Sequence, residues 1–537
     1  MFVHEIPNRS SPPAVLLRET YREGKKVKSR TVANISHWPP ERIQAMRRTL
    51  KGDFDGLSGD ADTQVDRVFG VLFVLLELAG RLGISKVLGH TRMGRLALFL
   101  VLARVARQGS RLSALRWAES QAVPETIGLD TFSEDDLLDS LNWLAENQDA
   151  IEKKLYRDYV SKQGSRPALV LYDVTSSYFE GQCNELADYG YNRDGKKGKK
   201  QVVIGLLTGP DGEPLAIRVF PGNTGDPDTV GVQIETLKRQ FGIEYVVFVG
   251  DRGMVKTKGK VALAEAGFKY ITALTDPQIR KLIRDSVILP GLFDKTLHEV
   301  ECEKRRLVLR RNEATRKKED YRREDKLARL RKRIEERNGF VEQSPRAKPE
   351  AGLRQLTSWA KRHKLASFVT LKLEGPGVVM TVDELAKTEA ALLDGCYVLE
   401  TDVAKEKMDA ATVDARYRDL SQVEQDFRTL KTVHLEVRPF YLRKAERTRG
   451  HAVAAMLALK IAREMRTKLA AAFGTTDDDP QAITLDDALV SLSRWCFQRD
   501  RIGTVEFLRL PGLDDRGLGI LNALGIRPPK LRGRVVR

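Results

Sequence analysis

Two short segments constrain the fold of this chain more than anything else in it. ALVLY (168–172) and YVVFVG (245–250) are continuous apolar runs, and each leads directly into an aspartate, Asp173 and Asp251. A strand with one wet face alternates apolar and polar residues, so an unbroken run marks a strand covered on both faces, as in a sheet flanked by helices. An ionised carboxylate at the end of such a strand is costly unless a cation or metal compensates it. In open α/β sheets the carboxyl ends of the strands form the ligand-binding edge. Taken singly, each aspartate can simply cap a turn. As a pair on neighbouring strands they make a platform of oxygen ligands suited to magnesium.

The neighbouring pattern extends the same plan. QVVIGLLT (201–208) and LAIRVFPG (215–222), joined through Gly209-Pro210-Asp211-Gly212, predict a hairpin; a helix is expected around 229–241, and YITALT (270–275) is a further strand. An insertion then departs from the α/β order. It carries a charge-dense stretch, Lys304 to Arg337, with 16 basic against 7 acidic residues. Leu327, Leu330 and Ile334 give its later part a helical period, so a long exposed helix is expected there, its basic excess suited to a polyanion backbone. Strands are expected at 367–373 and 378–382 around Gly375-Pro376-Gly377, and CYVLETD (396–402) closes the insertion.

The helix expected at 414–431 supplies a third carboxylate. At 100° per residue, positions seven apart differ by only about 20°, so Tyr417, Glu424 and Lys431 share one face. The apolar stripe Leu420, Val423, Phe427 and Leu430 runs beside that face, which puts Glu424 at the border of the buried side. Viewed alone, this glutamate also fits an ordinary solvent-facing position. A second amphipathic helix is expected over about 445–469.

Three elements in this order resemble the DDE transposases of bacterial insertion sequences, in the group with a Y-x2-R-x3-E-x6-K signature. They are YDVTSSYFEG around Asp173, VFVGDRGM around Asp251, and Tyr417-x6-Glu424-x6-Lys431, supported by LDGCYVLETD and HAVAAMLALKIAREM. The resemblance covers roughly 165–470. It implies an RNase H-like catalytic core with Asp173, Asp251 and Glu424 as catalytic and metal-binding residues, two Mg2+ or Mn2+ ions, and cleavage and strand transfer at element ends. Tyr417, Arg418, Arg428 and Lys431 are the expected DNA-binding residues. One departure is plain: the signature arginine position is Leu420, flanked by Arg418 and Arg428. Double-stranded DNA is the implied partner, as element ends and as target, with a homodimer holding two ends. The alternatives are an RNase H-like nuclease without strand transfer and a non-catalytic DNA-binding remnant of a transposase.

The charge balance agrees with a polyanionic partner: 91 basic against 74 acidic residues leave +17 over 537 residues. The longest apolar run, Val68 to Ala79, contains Glu77 and falls short of the ~20 residues of a membrane span. The opening MFVHEIPNRSSPP lacks the basic-then-apolar start of a secretory leader, and Cys183, Cys302, Cys396 and Cys496 form no CxxC pair, so a reducing cytoplasm is expected.

The expected class is therefore α/β: an RNase H-like core with a large mixed β/helical insertion, a helical N-terminal region and a helical C-terminal part. Residues 1–60 read as a β-ribbon and linker, the ribbon being two strands over 14–35. Residues 61–163 read as a helical DNA-binding region, in which helix, Gly109 turn and helix, ringed by arginines, form either a DNA reader or a plain bundle. The core spans 164–278 and 404–475 around the insertion at 279–403, and 476–537 form a C-terminal helical region with a basic tail. Three smaller features have plain readings beside functional ones. PGNTGDPD (221–228) is a surface loop or a turn near the site, Gly195 to Lys200 is a basic loop, and Trp359 is a packed tryptophan or a stacking surface for an unpaired base.

Overall fold

The computed structural model describes the chain except for residues 9–11, 25, 52–61, 108, 182, 197, 295–296, 303–304, 345, 432–440, 476–478, 480–481, 503–504, 530–533 and 537. Lys304 and much of the basic tail therefore lie outside the described residues. The chain divides into two compact units: Met1–Val71 with Glu119–Ala122 and Asp486–Arg537, and Leu72–Ala118 with Val123–Leu485.

The first unit holds two antiparallel sheets. Ala14–Glu23 and Lys26–Asn34 pair as the expected ribbon, turning at Gly24 with φ of 63°, and Phe2–Ile6 adds a third strand. A left-handed φ at the turn suits glycine, which has no Cβ to clash. In the second sheet Asp62–Val68 pairs with Cys496–Ile502, followed by Val505–Arg509 and Arg534–Val536. The helical reading of residues 61–68 is thus corrected. That segment is a strand because its partner lies more than 400 residues away, where local periodicity carries no signal. The C-terminal region also contains the helix Asp515–Leu524.

The second unit is built on an eight-stranded sheet. Leu169–Tyr178, Gln201–Thr208 and Pro214–Phe220 form an antiparallel meander. Val247–Gly250 pairs parallel to the first of these, and Lys269–Ala273 parallel to it in turn. This order, third-second-first-fourth-fifth, is that of an RNase H-like core. Cys396–Thr401, Arg305–Arg311 and His298–Cys302 extend the sheet beyond Lys269–Ala273. The charge-dense stretch therefore begins as a strand of the main sheet: Leu307, Val308 and Leu309 are fully buried, and this alternation of arginines around an apolar triplet outweighs the helical period that follows. The helix itself runs from Glu313 to Gln343. With Pro349–Arg362, the hairpin Val369–Glu374/Gly377–Val382 and Glu384–Ala391 it forms a lobe with its own core, centred on Leu327, Leu330, Leu356 and Phe368.

Helices support the sheet. The apolar run at 68–79 becomes the helix Gly70–Arg81, with Leu72, Val74, Leu75 and Leu78 fully buried. Ser133 caps Glu134–Glu146 through a reciprocal pair with Asp136. Arg92–Ala106, half of the suspected DNA reader, is buried along nearly its whole length, and Arg92 and Arg95 donate to the carbonyls of Thr131 and Gly128.

Gly450 sets the closest helix approach: a Cβ there would come within 1.9 Å of the Leu141 carbonyl oxygen. Gly450→Val is expected to cost ~3 kcal/mol or more and to lower Tm. Gly231→Ala, in open space on Asp226–Glu235, should be neutral or slightly stabilising. Equal effects of the two in thermal melts would contradict this packing.

Candidate active site

Asp173 does not end its strand, as the apolar run suggested, but lies inside it. Its antiparallel neighbour Leu206 continues on one side, while the parallel neighbour stops at Gly250, opposite Tyr172. Asp251 is the next residue after that stop. One side of Asp173 is thereby left open to a cleft of about 280 Å³. The cleft is lined by both aspartates, by Glu424, Tyr417, Arg418, Leu420 and Ser421, and by Asn312 and Tyr397 from the insertion.

The helix expected at 414–431 is two helices, Ala410–Arg418 and Leu420–Lys431, joined at Asp419. The carbonyl of Asp419 accepts from the Gln422 amide, a tightened turn that keeps Tyr417 and Glu424 on the same cleft. Leu420, Val423, Phe427 and Leu430 are buried, as their spacing predicts, and Glu424 is exposed beside them.

The aspartates are held by short contacts. Asp173 Oδ1 accepts from the Val174 amide at 2.7 Å, and Asp251 Oδ1 accepts from the Arg252 amide at 2.7 Å and the Tyr417 hydroxyl at 3.2 Å. Burial, above all, pushes the Asp173 carboxyl up to about 7; the charges of Asp251 and Glu424 push the same way, against the Val174 amide and Arg193. Burial and then Asp251 also raise the Tyr417 hydroxyl, keeping it a donor. Arg193, whose charge weakly opposes the rise at Asp173, is held by both oxygens of Asp226, in the PGNTGDPD turn, at 2.6 Å.

The expected DNA-binding residues separate into two pairs. Tyr417 and Arg418 line the cleft; Arg418 is anchored on buried Asp414 at 3.0 Å, which also receives Tyr397 and Arg310. Arg428 is exposed and outside the cleft wall. Lys431 is also outside it: its Nζ meets Asp194 Oδ1 at 2.9 Å, with side-chain exposures of 12% and 2%. Asp194 also accepts from the Tyr178 amide, so this pair ties the end of the Asp173 strand to the end of the Glu424 helix. A helical-phase argument cannot see a partner 237 residues away. Asn312 and Tyr397 were not singled out by sequence either, although Asn312 carries a readable signal as the N-cap of Glu313–Gln343.

Among the described residues, no three His, Cys, Asp or Glu side chains stand close enough to hold a metal ion between them as they are placed. The donor chemistry nevertheless fits a hard divalent cation, being three carboxylates on one cleft with the charge of Asp173 held unfavourably.

Residues 164–461, more than half of the chain, match the family model "Transposase DDE domain". The chain belongs to the DDE transposases. Residues 4–62 match the N-terminal domain of IS1634 family transposases, which makes this a DNA transposase of an insertion sequence. Solved structures similar to the transposase include a piggyBac transposase synaptic complex with hairpin DNA, at 10% identity over 80% of this chain and 69% of that one, with a TM-score of 0.35. Another is a Mos1 transposase paired-end complex with the left transposon end, at 12% identity over 30% of this chain and 59% of that one, with a TM-score of 0.15. No curated protein matches the sequence significantly. Among the described residues, no helix is long and apolar enough to cross a membrane.

Two stability predictions follow from the electrostatics. Because the folded Asp173 carboxyl titrates near 7 rather than near 3.8, the folded state binds more protons between those values, and its stability falls as pH rises through that window. Asp173→Asn lacks this loss, so without metal it should be more stable than the wild type at pH 8, by at most ~4 kcal/mol and with a higher Tm, and match it more closely at pH 4. An equal or lower Tm at pH 8 contradicts the burdened carboxylate. Lys431→Met, by removing a buried charge from Asp194, should destabilise by ~3 kcal/mol; an unchanged Tm with impaired cleavage would instead restore the phosphate-contact reading.

Proposed function

We propose that Asp173, Asp251 and Glu424 are the catalytic carboxylates of the transposase, and that they hold two divalent ions, Mg2+ or Mn2+, while element ends are cut and joined to target DNA. The observation that carries this reading is the meeting of these three residues on one cleft despite separations in sequence of 78 (251 − 173) and 173 (424 − 251) residues. Ions bound there supply activation of a water or 3′-hydroxyl and neutralisation of the charge that develops on phosphate. The protein's own part is positional. Tyr417 keeps Asp251 turned to the cleft through its hydroxyl, and Arg193 moderates the charge on Asp173. Arg418, anchored on Asp414 and 58% exposed, is placed to take a phosphate oxygen of the strand being cut. Two ends must be processed together, so the active form is taken to be a homodimer on DNA. A reducing cytoplasm suits the four cysteines, all of them free thiols.

A joining assay separates this reading from its rivals. Given a pre-cleaved end with a free 3′-hydroxyl, a second duplex and Mg2+, the wild type should join the two. Asp173→Ala, Asp251→Ala and Glu424→Ala should each lower joining by on the order of 10³-fold or more while end binding persists. Hydrolysis without joining would mean a nuclease, and full joining by Glu424→Ala would remove that residue from the centre. Binding with neither reaction would mean a non-catalytic remnant.

A further inference from the structure

A second cleft, of about 430 Å³, opens at the opposite edge of the same sheet. Arg166 lies just before the Asp173 strand and Gly242 before the Asp251 strand, and Arg166 Nη1 donates to the Gly242 carbonyl at 2.6 Å, joining the two strand entries. Seven residues of nearly extended chain separate Arg166 from Asp173 (173 − 166), roughly 20 Å. The cleft walls come from the helix Gln148–Gln163 and the π-helical turn Thr236–Gln240, a rare geometry that often marks functional positions.

The cations Lys153, Arg157, Arg166 and Arg239 line this cleft, and among the described residues no acidic one does. Of the carboxylates on the same elements, Asp149 and Glu152 are engaged by Arg218 and Asp158 is outside the lining, while Glu235 pairs with Arg239 itself and offsets part of that charge. Among the described residues Lys153 and Arg157 have no ion-pair partner. The floor is apolar and rigid, with Tyr156 stacked on Phe241 at 4.3 Å between ring centres. Tyr156 is 4% exposed, and its hydroxyl has no hydrogen-bond partner among the described residues. The charge of Arg166 reaches that hydroxyl. That hydroxyl is closed to solvent, so an oxyanion seated in the cleft would meet the cations around it.

We propose that this cleft is a phosphate-binding site, distinct from the catalytic cleft, that takes a backbone phosphate of duplex DNA lying along the far edge of the core. The ligand chemistry is a phosphodiester or phosphomonoester oxygen set; duplex DNA is chosen as its source because the protein is a DNA transposase and the cleft is open to solvent. The site adds a DNA contact that involves none of Asp173, Asp251 and Glu424.

The test uses the full chain and a duplex of unrelated sequence, with affinity followed against salt. Lys153→Ala/Arg157→Ala should weaken binding and flatten the slope of log affinity on log salt by about 1 to 2. Lys154→Ala, an adjacent exposed lysine outside the cleft, should leave the slope unchanged; the duplex holds no element end and no metal is added, so a failed catalytic assignment does not alter this result. Arg239→Ala, at the other wall of the cleft, should also weaken duplex binding and flatten the slope, by less than the double variant because Glu235 already offsets part of its charge. Unchanged slope and affinity in both cleft variants overturn the proposal. So does a rise in Tm with millimolar ATP or inorganic phosphate, abolished in Lys153→Ala/Arg157→Ala while duplex binding stays intact, because the site would then serve a free phosphate compound.

Discussion

The parallel pairing of Leu169–Tyr178 with Val247–Gly250 is the constraint on which the site depends. Because the shorter strand stops opposite Tyr172, two aspartates 78 residues apart in sequence (251 − 173) become neighbours at a break in the sheet. Holding them there works against electrostatics, since burial and like charge both resist ionisation of Asp173. The surrounding structure sustains the arrangement through separate braces. Arg193 on Asp226 brings a cation toward Asp173, Lys431 on Asp194 ties strand end to helix end, and Asp414 gathers Tyr397, Arg310 and Arg418. Strain of this kind is what a site that concentrates positive charge on demand requires.

The parts of the fold legible in the sequence are those set by local pattern. Both aspartate strands announce themselves by unbroken apolar runs, and Glu424 by its position beside the stripe Leu420, Val423, Phe427 and Leu430. What escaped is non-local. Asp62–Val68 is a strand because Cys496–Ile502 pairs with it, and nothing within seven residues says so. Arg92–Ala106 looks like a basic-faced helix until Arg92 and Arg95 find carbonyls on neighbouring segments. Lys431 lies in phase with Glu424, yet Asp194 draws it away from the cleft. The break at Asp419 also shows that phase arguments weaken where a tightened turn resets the helix.

The insertion has two jobs that its composition merges. Its strands complete the main sheet and carry Asn312 and Tyr397 to the cleft, whereas the lobe beyond Asn312 packs on a core of its own. Several cations of the lobe are used within it: Arg323 on Asp394, Arg329 on Asp325, and Arg333 over the ring of Trp359 at 5.3 Å. Trp359 is accordingly a packed residue with one face under an arginine. A count of 16 basic residues over Lys304–Arg337 therefore overstates the charge offered to a partner.

The central claim is that residues 173, 251 and 424 share bound metal. Localised hydroxyl-radical cleavage tests it most directly: Fe2+ replaces Mg2+ on the full chain, ascorbate and peroxide are added, and the polypeptide cuts are mapped. The account predicts cuts clustered near Asp173, Asp251 and Glu424 together, all suppressed by excess Mg2+. Cuts near only one of the three, or only elsewhere in the chain, would contradict it.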